Sequence, residues 1–343
     1  MKKNIKCRSC LTNKSYPIYK SPKLPEYIWP IISNIKIRRS SCILYLCRYC
    51  GHLQLQKFST IRVKSFYGKK SFVISTGKQH QIRKNLLLKK YGRKLFYRKK
   101  ILEIGGGINP FLPSLSDYTL LDFSFEKFIK QKYKKLIKAD FEKFKDSSTK
   151  YDIVIMFHAL EHFINPHKII KNLNKITHKK SLIIVEVPNI CHYINEIPHY
   201  AIFHQHLSMF TPETLINVMK CGNFKLDKKF YYKTNILMSF KLSNKKLSMN
   251  NYFKKNFELV KKLINKININ NNRYKKIKTK FINVSNAGGN TTLFLNTYPS
   301  LKNNIKFIYE NDFAKINKKI PGTKIKILKK VKGKKYHQFK SFF

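Results

Sequence analysis

Acidic residues are scarce. Only 17 Asp and Glu stand against 71 Lys and Arg, which leaves a formal charge of +54 over 343 residues. No apolar run is long enough to span a bilayer, so a membrane anchor is not expected. The opening Met1-Lys2-Lys3-Asn4-Ile5-Lys6 is basic, but no apolar stretch follows it, so a secretory leader is not expected and a cytoplasmic protein is. Tandem repeats are absent too. What is present is a globular composition: 43% hydrophobic and 14% aromatic residues rule out a disordered tail, and the length suits two or three domains.

The charge admits two readings. A field this positive attracts a phosphate backbone. A dedicated nucleic-acid surface, however, concentrates its charge and interleaves Arg with aromatics. Here lysine runs from end to end with asparagine and isoleucine, as an AT-rich genome would produce. Composition is therefore the preferred reading and a nucleic-acid partner the secondary one. A basic surface would still suit an anionic small molecule such as a nucleotide-linked sugar.

The seven cysteines are an odd number, and four fall in two C-x-x-C pairs, Cys7/Cys10 and Cys47/Cys50. In a cytosolic chain paired knuckles point to metal and not to disulfides. Four thiolates suit tetrahedral zinc, and a closed four-cysteine site leaves no position open for substrate, so the zinc is expected to be structural. Gly51 directly after Cys50 fits a tight turn. Cys42, Cys191 and Cys221 read as ordinary core residues.

Three stretches differ in pattern. Residues 1–60 carry the cysteine pairs and several prolines, with little periodicity. A basic helical connector is expected from Lys78 to Lys99. Up to about residue 245, short apolar runs alternate with amphipathic segments. Strands are expected at Ile101–Ile104, Tyr118–Leu121, Tyr151–Met156 and Ser181–Val187, with a helix at Pro166–Ile176. Strands alternating with helices imply βαβ units and a parallel sheet. From residue 246 to 343 a second, smaller α/β pattern follows. It holds a lysine-rich helix from Ser248 to about Ile269, a break at Asn270-Asn271-Asn272, and apolar runs at Phe281–Val284 and Ile305–Tyr309 around the turn at Gly288-Gly289.

Ile101-Leu102-Glu103-Ile104-Gly105-Gly106-Gly107-Ile108-Asn109-Pro110 is a strand that ends in a glycine-rich turn, where the backbone can approach a ligand closely. Taken alone it would serve a nicotinamide cofactor or a phosphate equally well. Asp122 then closes the next strand, at the spacing of a carboxylate that grips ribose hydroxyls. Asp140 lies in a loop after a further strand, and Tyr151–Met156 runs on through Phe157-His158 into Ala159-Leu160-Glu161-His162.

The series E-x-G-x-G, Asp, Asp and A-L-E-H resembles class I S-adenosylmethionine-dependent methyltransferases. The resemblance implies an α/β, Rossmann-like fold with the cofactor at the glycine turn. Glu103, Gly105 and Gly107 would shape its pocket, Asp122 would hold the ribose, Asp140 the adenine, and His158 would stand among the cofactor contacts. Asn109 replaces a third glycine common in the family. A narrower resemblance is to the zinc-containing C-methyltransferases of nucleotide-linked keto-sugars, which place a four-cysteine zinc domain first, the cofactor domain second and a smaller α/β domain last. Cys47–Leu55, Phe203-His204-Gln205-His206-Leu207-Ser208-Met209-Phe210-Thr211 (against Y-H-E-H-L-S-Y-F-S) and Ile308–Lys315 with Ile320-Pro321-Gly322-Thr323 carry it. The layout implied is 1–60 for zinc, 78–245 for the cofactor and 246–343 for an α/β domain truncated against the family.

Methylating a ring carbon requires a base beside a carbonyl and stabilisation of the enolate. His206, His204 and His162 are the acid–base candidates. A single histidine is more often structural, but two that flank one residue favour a role. Gln205 stands where the family has glutamate, and an amide cannot act as a base, so either an imidazole substitutes or the acceptor is a hydroxyl. An RNA methyltransferase is an alternative on charge and zinc, although Val187-Pro188-Asn189 lacks the N-P-P-Y pattern of base-nitrogen methylation. A catalytically inactive zinc-stabilised binding protein is the other.

Overall fold

The structure is a computed structural model that describes residues 4–32, 36–59, 62, 77–106, 111, 117–123, 135–144, 148–230, 234–277, 284–334 and 337–338. Gly107, Asn109 and Phe281–Asn283 lie outside the described residues.

The chain opens with β1 (Ser15–Pro25), β2 (Arg39–Cys47) and β3 (Leu53–Leu55), paired antiparallel. The weak periodicity of this stretch has a physical cause: β2 is buried continuously from Cys42 to Cys47, so no alternation shows. Helix α1 (Gly77–Tyr91) then leads into β4 (Lys100–Ile104), β5 (Asp117–Asp122), β6 (Lys135–Lys138), β7 (Tyr151–Phe157), α2 (Pro166–Ile176) and β8 (Thr177–Pro188). The expected connector thus ends eight residues early as a helix, and a short 3-10 turn at Arg93–Leu95 completes it. In α2, Pro166 opens the helix where its missing N–H costs nothing. Ile169, Ile170, Leu173 and Ile176 form its buried face. Next come α3 (Ile190–Glu196), β9 (Ser208–Met209), α4 (Pro212–Lys220), β10 (Phe224–Phe230) and β11 (Asn235–Leu242). Thr211 caps α4 in a reciprocal box with Thr214.

These strands form a seven-stranded sheet in the order β10-β11-β8-β7-β4-β5-β6. The strands from β6 to β8 are parallel, and β11 and β10 close one edge antiparallel. Successive residues point to opposite faces, and both faces are covered. Leu102, Val154, Met156, Ile183 and Val185 pack on one side, and Ile101, Ile153, Ile155, Leu182 and Ile184 on the other. This is why the strands read as unbroken apolar runs.

The remainder is α5 (Phe253–Lys275), β12 (Val284–Ser285), α6 (Gly289–Thr297), β13 (Phe307–Glu310), β14 (Lys326–Lys329) and β15 (His337–Gln338). Its strands form a small parallel sheet in the order β14-β13-β12-β15. The break expected at Asn270–Asn272 does not occur, because α5 runs through it to Lys275. Tertiary packing overrides the poor propensity of asparagine. Tyr274 is buried against Phe294 and Tyr298, and Asn270 Nδ2 donates to the Tyr298 hydroxyl at 3.1 Å. Strand β9 leaves the middle of the chain to pair with β3. One apolar cluster joins Leu44 and Leu55 with Ile202 and Leu207 and with Val260, Phe294 and Ile308, so both ends of the chain share a core. Among the described residues no helix is long and apolar enough to cross a membrane.

Candidate active site

The carboxyl edge of the seven-stranded sheet gathers the residues singled out from the sequence. In open α/β sheets this edge forms the ligand crevice. Ile104 is level with Leu121 on β5 and with Met156 on β7. Gly105, Asp122 and Phe157 therefore stand side by side, with His158 one residue beyond. Gly105 sits at φ +72°, and its N–H donates to the Leu121 carbonyl at 2.9 Å. A Cβ on Gly106 would lie 2.3 Å from Glu103 Cδ, so a side chain here would displace that carboxylate. Glu103 is buried and accepts from the Tyr118 hydroxyl at 2.8 Å. Asp122 is half-exposed at the end of β5, and Asp140 follows β6, where its Oδ1 accepts from the Glu142 N–H at 3.0 Å. A bare glycine backbone beside a carboxylate at the adjacent strand end fits a ribose-bearing ligand laid along the edge.

A second group of charged side chains lies under the crevice. His158, at φ +51°, occupies a conformation uncommon for a side-chain-bearing residue. Its ring lies between two buried carboxylates, Nε2 at 3.0 Å from Glu186 Oε1 and Nδ1 at 3.4 Å from Glu161 Oε1. Burial opposes its charged form, but the two carboxylates outweigh that and raise it to about 9. Glu186 is fully buried. It is gripped at both oxygens by Arg83, whose guanidinium covers the Phe157 ring at 4.2 Å, and it accepts from Asn235 Nδ2 at 2.7 Å. Burial pushes Glu186 up, yet His158 and Arg83 bring it down to about 2.

The turn at Leu160–His162 is clamped to the segment 203–207. Leu207 N–H donates to the Glu161 carbonyl at 2.9 Å, and His162 Nδ1 donates to the Gln205 carbonyl at 2.8 Å. His206 thereby packs edge-on to His162, ring centroids 5.1 Å apart, and against Phe203 at 4.1 Å. Burial first, and then His162, hold His206 down to about 3, so its imidazole is neutral. His204 faces elsewhere. It is buried, its Nε2 lies 2.8 Å from Ser40 Oγ at the start of β2, and burial lowers it to about 4. The sequence reading did not single out Arg83, Glu186 or Asn235. Glu186 was findable, as an acid inside the buried run Leu182–Val187.

The cysteine pairs converge at a distance from this crevice in sequence. Cys7 Sγ lies 3.7 Å from Cys50 Sγ and Cys10 Sγ 3.6 Å from Cys47 Sγ, with all four sulfurs within 4.8 Å and none in a disulfide. A tetrahedral zinc with bonds of about 2.3 Å spaces its sulfurs about 3.8 Å apart, so the donor set fits that ion. Gly51 is at φ +73°, and a Cβ there would meet the Tyr252 carbonyl carbon at 2.5 Å. Cys42 is fully buried, whereas Cys191 and Cys221 are only half-buried, and Cys221 Sγ reaches the Ser9 carbonyl between the first two ligands at 3.2 Å.

Residues 78–229 match the family model described as a methyltransferase domain. Together with the mixed α/β, Rossmann-like sheet, this match gives the chain a methyltransferase domain. Among solved structures it is similar to an S-adenosylmethionine-dependent methyltransferase from Clostridium acetobutylicum, at 12% identity and a TM-score of 0.41 over 54% of this chain and 99% of that one. It is also similar to the N-methyltransferase NodS from Bradyrhizobium japonicum, at 13% identity and a TM-score of 0.35 over 49% and 96% of the two chains. No curated protein matches its sequence.

Proposed function

We propose that the chain methylates a nucleotide-linked keto-sugar or a related small molecule, at carbon or hydroxyl. The carrying observation is the convergence of His162 with Gln205 and His206, segments 43 positions apart, beside the strand ends that bear Gly105 and Asp122.

Bound S-adenosylmethionine supplies an electrophilic methyl on a sulfonium. In the proposed site Glu103, Gly105 and Gly107 shape its pocket, Asp122 accepts from the ribose hydroxyls, Asp140 lies toward the adenine and His158 stands beside them. The acceptor must lose a proton as it is methylated, and His162 and His206 are the groups placed to assist. Gln205 takes no proton, and its backbone carbonyl orients His162 instead. His204 is assigned a positioning role through Ser40. Cys7, Cys10, Cys47 and Cys50 are assigned a structural zinc in the unit 1–60, ahead of the units 78–245 and 246–343.

Calorimetric titration of zinc-loaded protein with S-adenosylmethionine and S-adenosylhomocysteine tests the cofactor site. Asp122→Ala should weaken saturable binding about 10- to 100-fold, the worth of hydrogen bonds to a charged group. A folded protein that binds neither compound overturns the reading. Methyl transfer to sugar nucleotides is the expected turnover, and transfer to RNA with a steep salt dependence would replace that substrate class.

A further inference from the structure

The carboxylate of Glu161 is 1% exposed, and among the described residues neither oxygen has a hydrogen-bond partner, its contacts being long ion pairs with His158 and His162. Burying a carboxylate in that condition is costly unless a cation meets it. Its neighbours are imidazoles: His158 Nδ1 lies 3.4 Å and His162 Nε2 3.6 Å from Oε1. Charge-assisted N–H···O bonds close to about 2.8 Å. The 3.6 Å separation from His162 instead approaches the edge of about 3.3 Å between ligands bound at about 2.0–2.1 Å around a tetrahedral ion. A ligand atom from each of Glu161, His162 and His206 lies within 4.8 Å of the others.

The surroundings match such a use. A carbonyl can only accept, so the 2.8 Å contact with Gln205 places the His162 proton on Nδ1. The lone pair then falls on Nε2, which faces Glu161. Metal-bound histidines are commonly held by this kind of backbone contact. The Leu207–Glu161 backbone bond fixes the second segment against the first.

We propose that Glu161, His162 and His206 form a divalent-cation site whose open positions take an oxygen of the methyl acceptor. The proposal rests on the reading that this crevice faces the acceptor, and it specifies how the two histidines assist. One carboxylate and two imidazoles suit zinc, manganese or ferrous ions, and three protein ligands leave room for substrate. A cation-bound hydroxyl is more acidic. Its O–H bond breaks with the proton passing to water. The oxygen's electron pair forms the bond to the methyl carbon, and the C–S bond breaks to leave S-adenosylhomocysteine. His158 stays outside the ligand set and bridges Glu161 to Glu186.

The test uses full-length, zinc-loaded protein titrated with Mn²⁺, with free Mn²⁺ read by electron paramagnetic resonance. Thiolates take manganese poorly, which separates this site from the cysteine cluster. One saturable Mn²⁺ per chain is expected, weakened at least tenfold in Glu161→Gln and in His206→Asn. His178→Asn should leave it unchanged, since that imidazole pairs with Asp152 at the opposite edge of the sheet. Retained zinc and an unshifted thermal melt identify the folded variants. A folded wild type that takes up no Mn²⁺, or uptake that survives both substitutions, overturns the site. Cofactor binding without Mn²⁺ binding removes the cation and keeps the methyltransferase site. Mn²⁺ binding without cofactor binding does the reverse.

Discussion

Glu186 shows how much of the site depends on single side chains. It is fully buried, and Arg83 supplies its bidentate partner from a helix 103 positions earlier. Removing one member of a buried pair leaves an uncompensated charge. Arg83→Met should therefore cost about 3 kcal/mol in denaturant unfolding, softened by the bonds that Asn235 and His158 retain. The double variant with Glu186→Gln should recover part of that loss, and a double-variant loss equal to the sum of the two single losses would show that the pair is uncoupled. Gly51 is a backbone case. Its positive φ and the approach of Tyr252 leave no place for a Cβ, so Gly51→Ala should destabilise the chain by more than about 1 kcal/mol.

At the scale of elements, α1 is tied to the antiparallel edge of the main sheet through Asp227 on β10. This carboxylate accepts from the Tyr91 hydroxyl at 3.0 Å and from Ser239 Oγ at 3.2 Å, and it pairs with Lys241 at 2.8 Å. Burial pushes Asp227 up, but the bonds from Lys241, Tyr91 and Ser239 outweigh it, and the group sits below its ordinary value of 3.8. A depressed carboxylate contributes stability above its unfolded pKa and loses it as pH falls through the folded one. Asp227→Asn should thus cost about 1 kcal/mol near neutrality, the exposure of Lys241 being taken into account. That difference should hold down to about pH 3.8 and be lost in urea melts as pH falls through the lower, folded value. A pH-independent difference would assign it to packing. Helix α5 makes a related point. Its asparagine run reads as a break, and the aromatic contacts of Tyr274 together with the Asn270–Tyr298 bond hold it helical.

For the whole molecule, the shared core predicts cooperative unfolding. Met249 packs on the cysteine cluster, and Gly51 touches the start of α5. Stripping zinc with a chelator, or Cys47→Ser, should therefore lower the melting temperature of the entire chain in one calorimetric transition, and two separated transitions would contradict this coupling. The strands at Ile101–Ile104, Tyr118–Leu121, Tyr151–Met156 and Ser181–Val187, the helix at Pro166–Ile176, the glycine turn and the two cysteine pairs were all legible from residue order. Each is a local pattern: an apolar run buried on both faces, a helical repeat, a backbone that needs glycine, or two sulfurs within one turn. The pairing of β9 with β3 and the grip of Arg83 on Glu186 were not legible, nor was the turn of His204 toward Ser40 while His206 meets His162. Those depend on where distant segments come to rest, and side-chain direction there is set by sheet packing and buried charge, which no local spacing encodes.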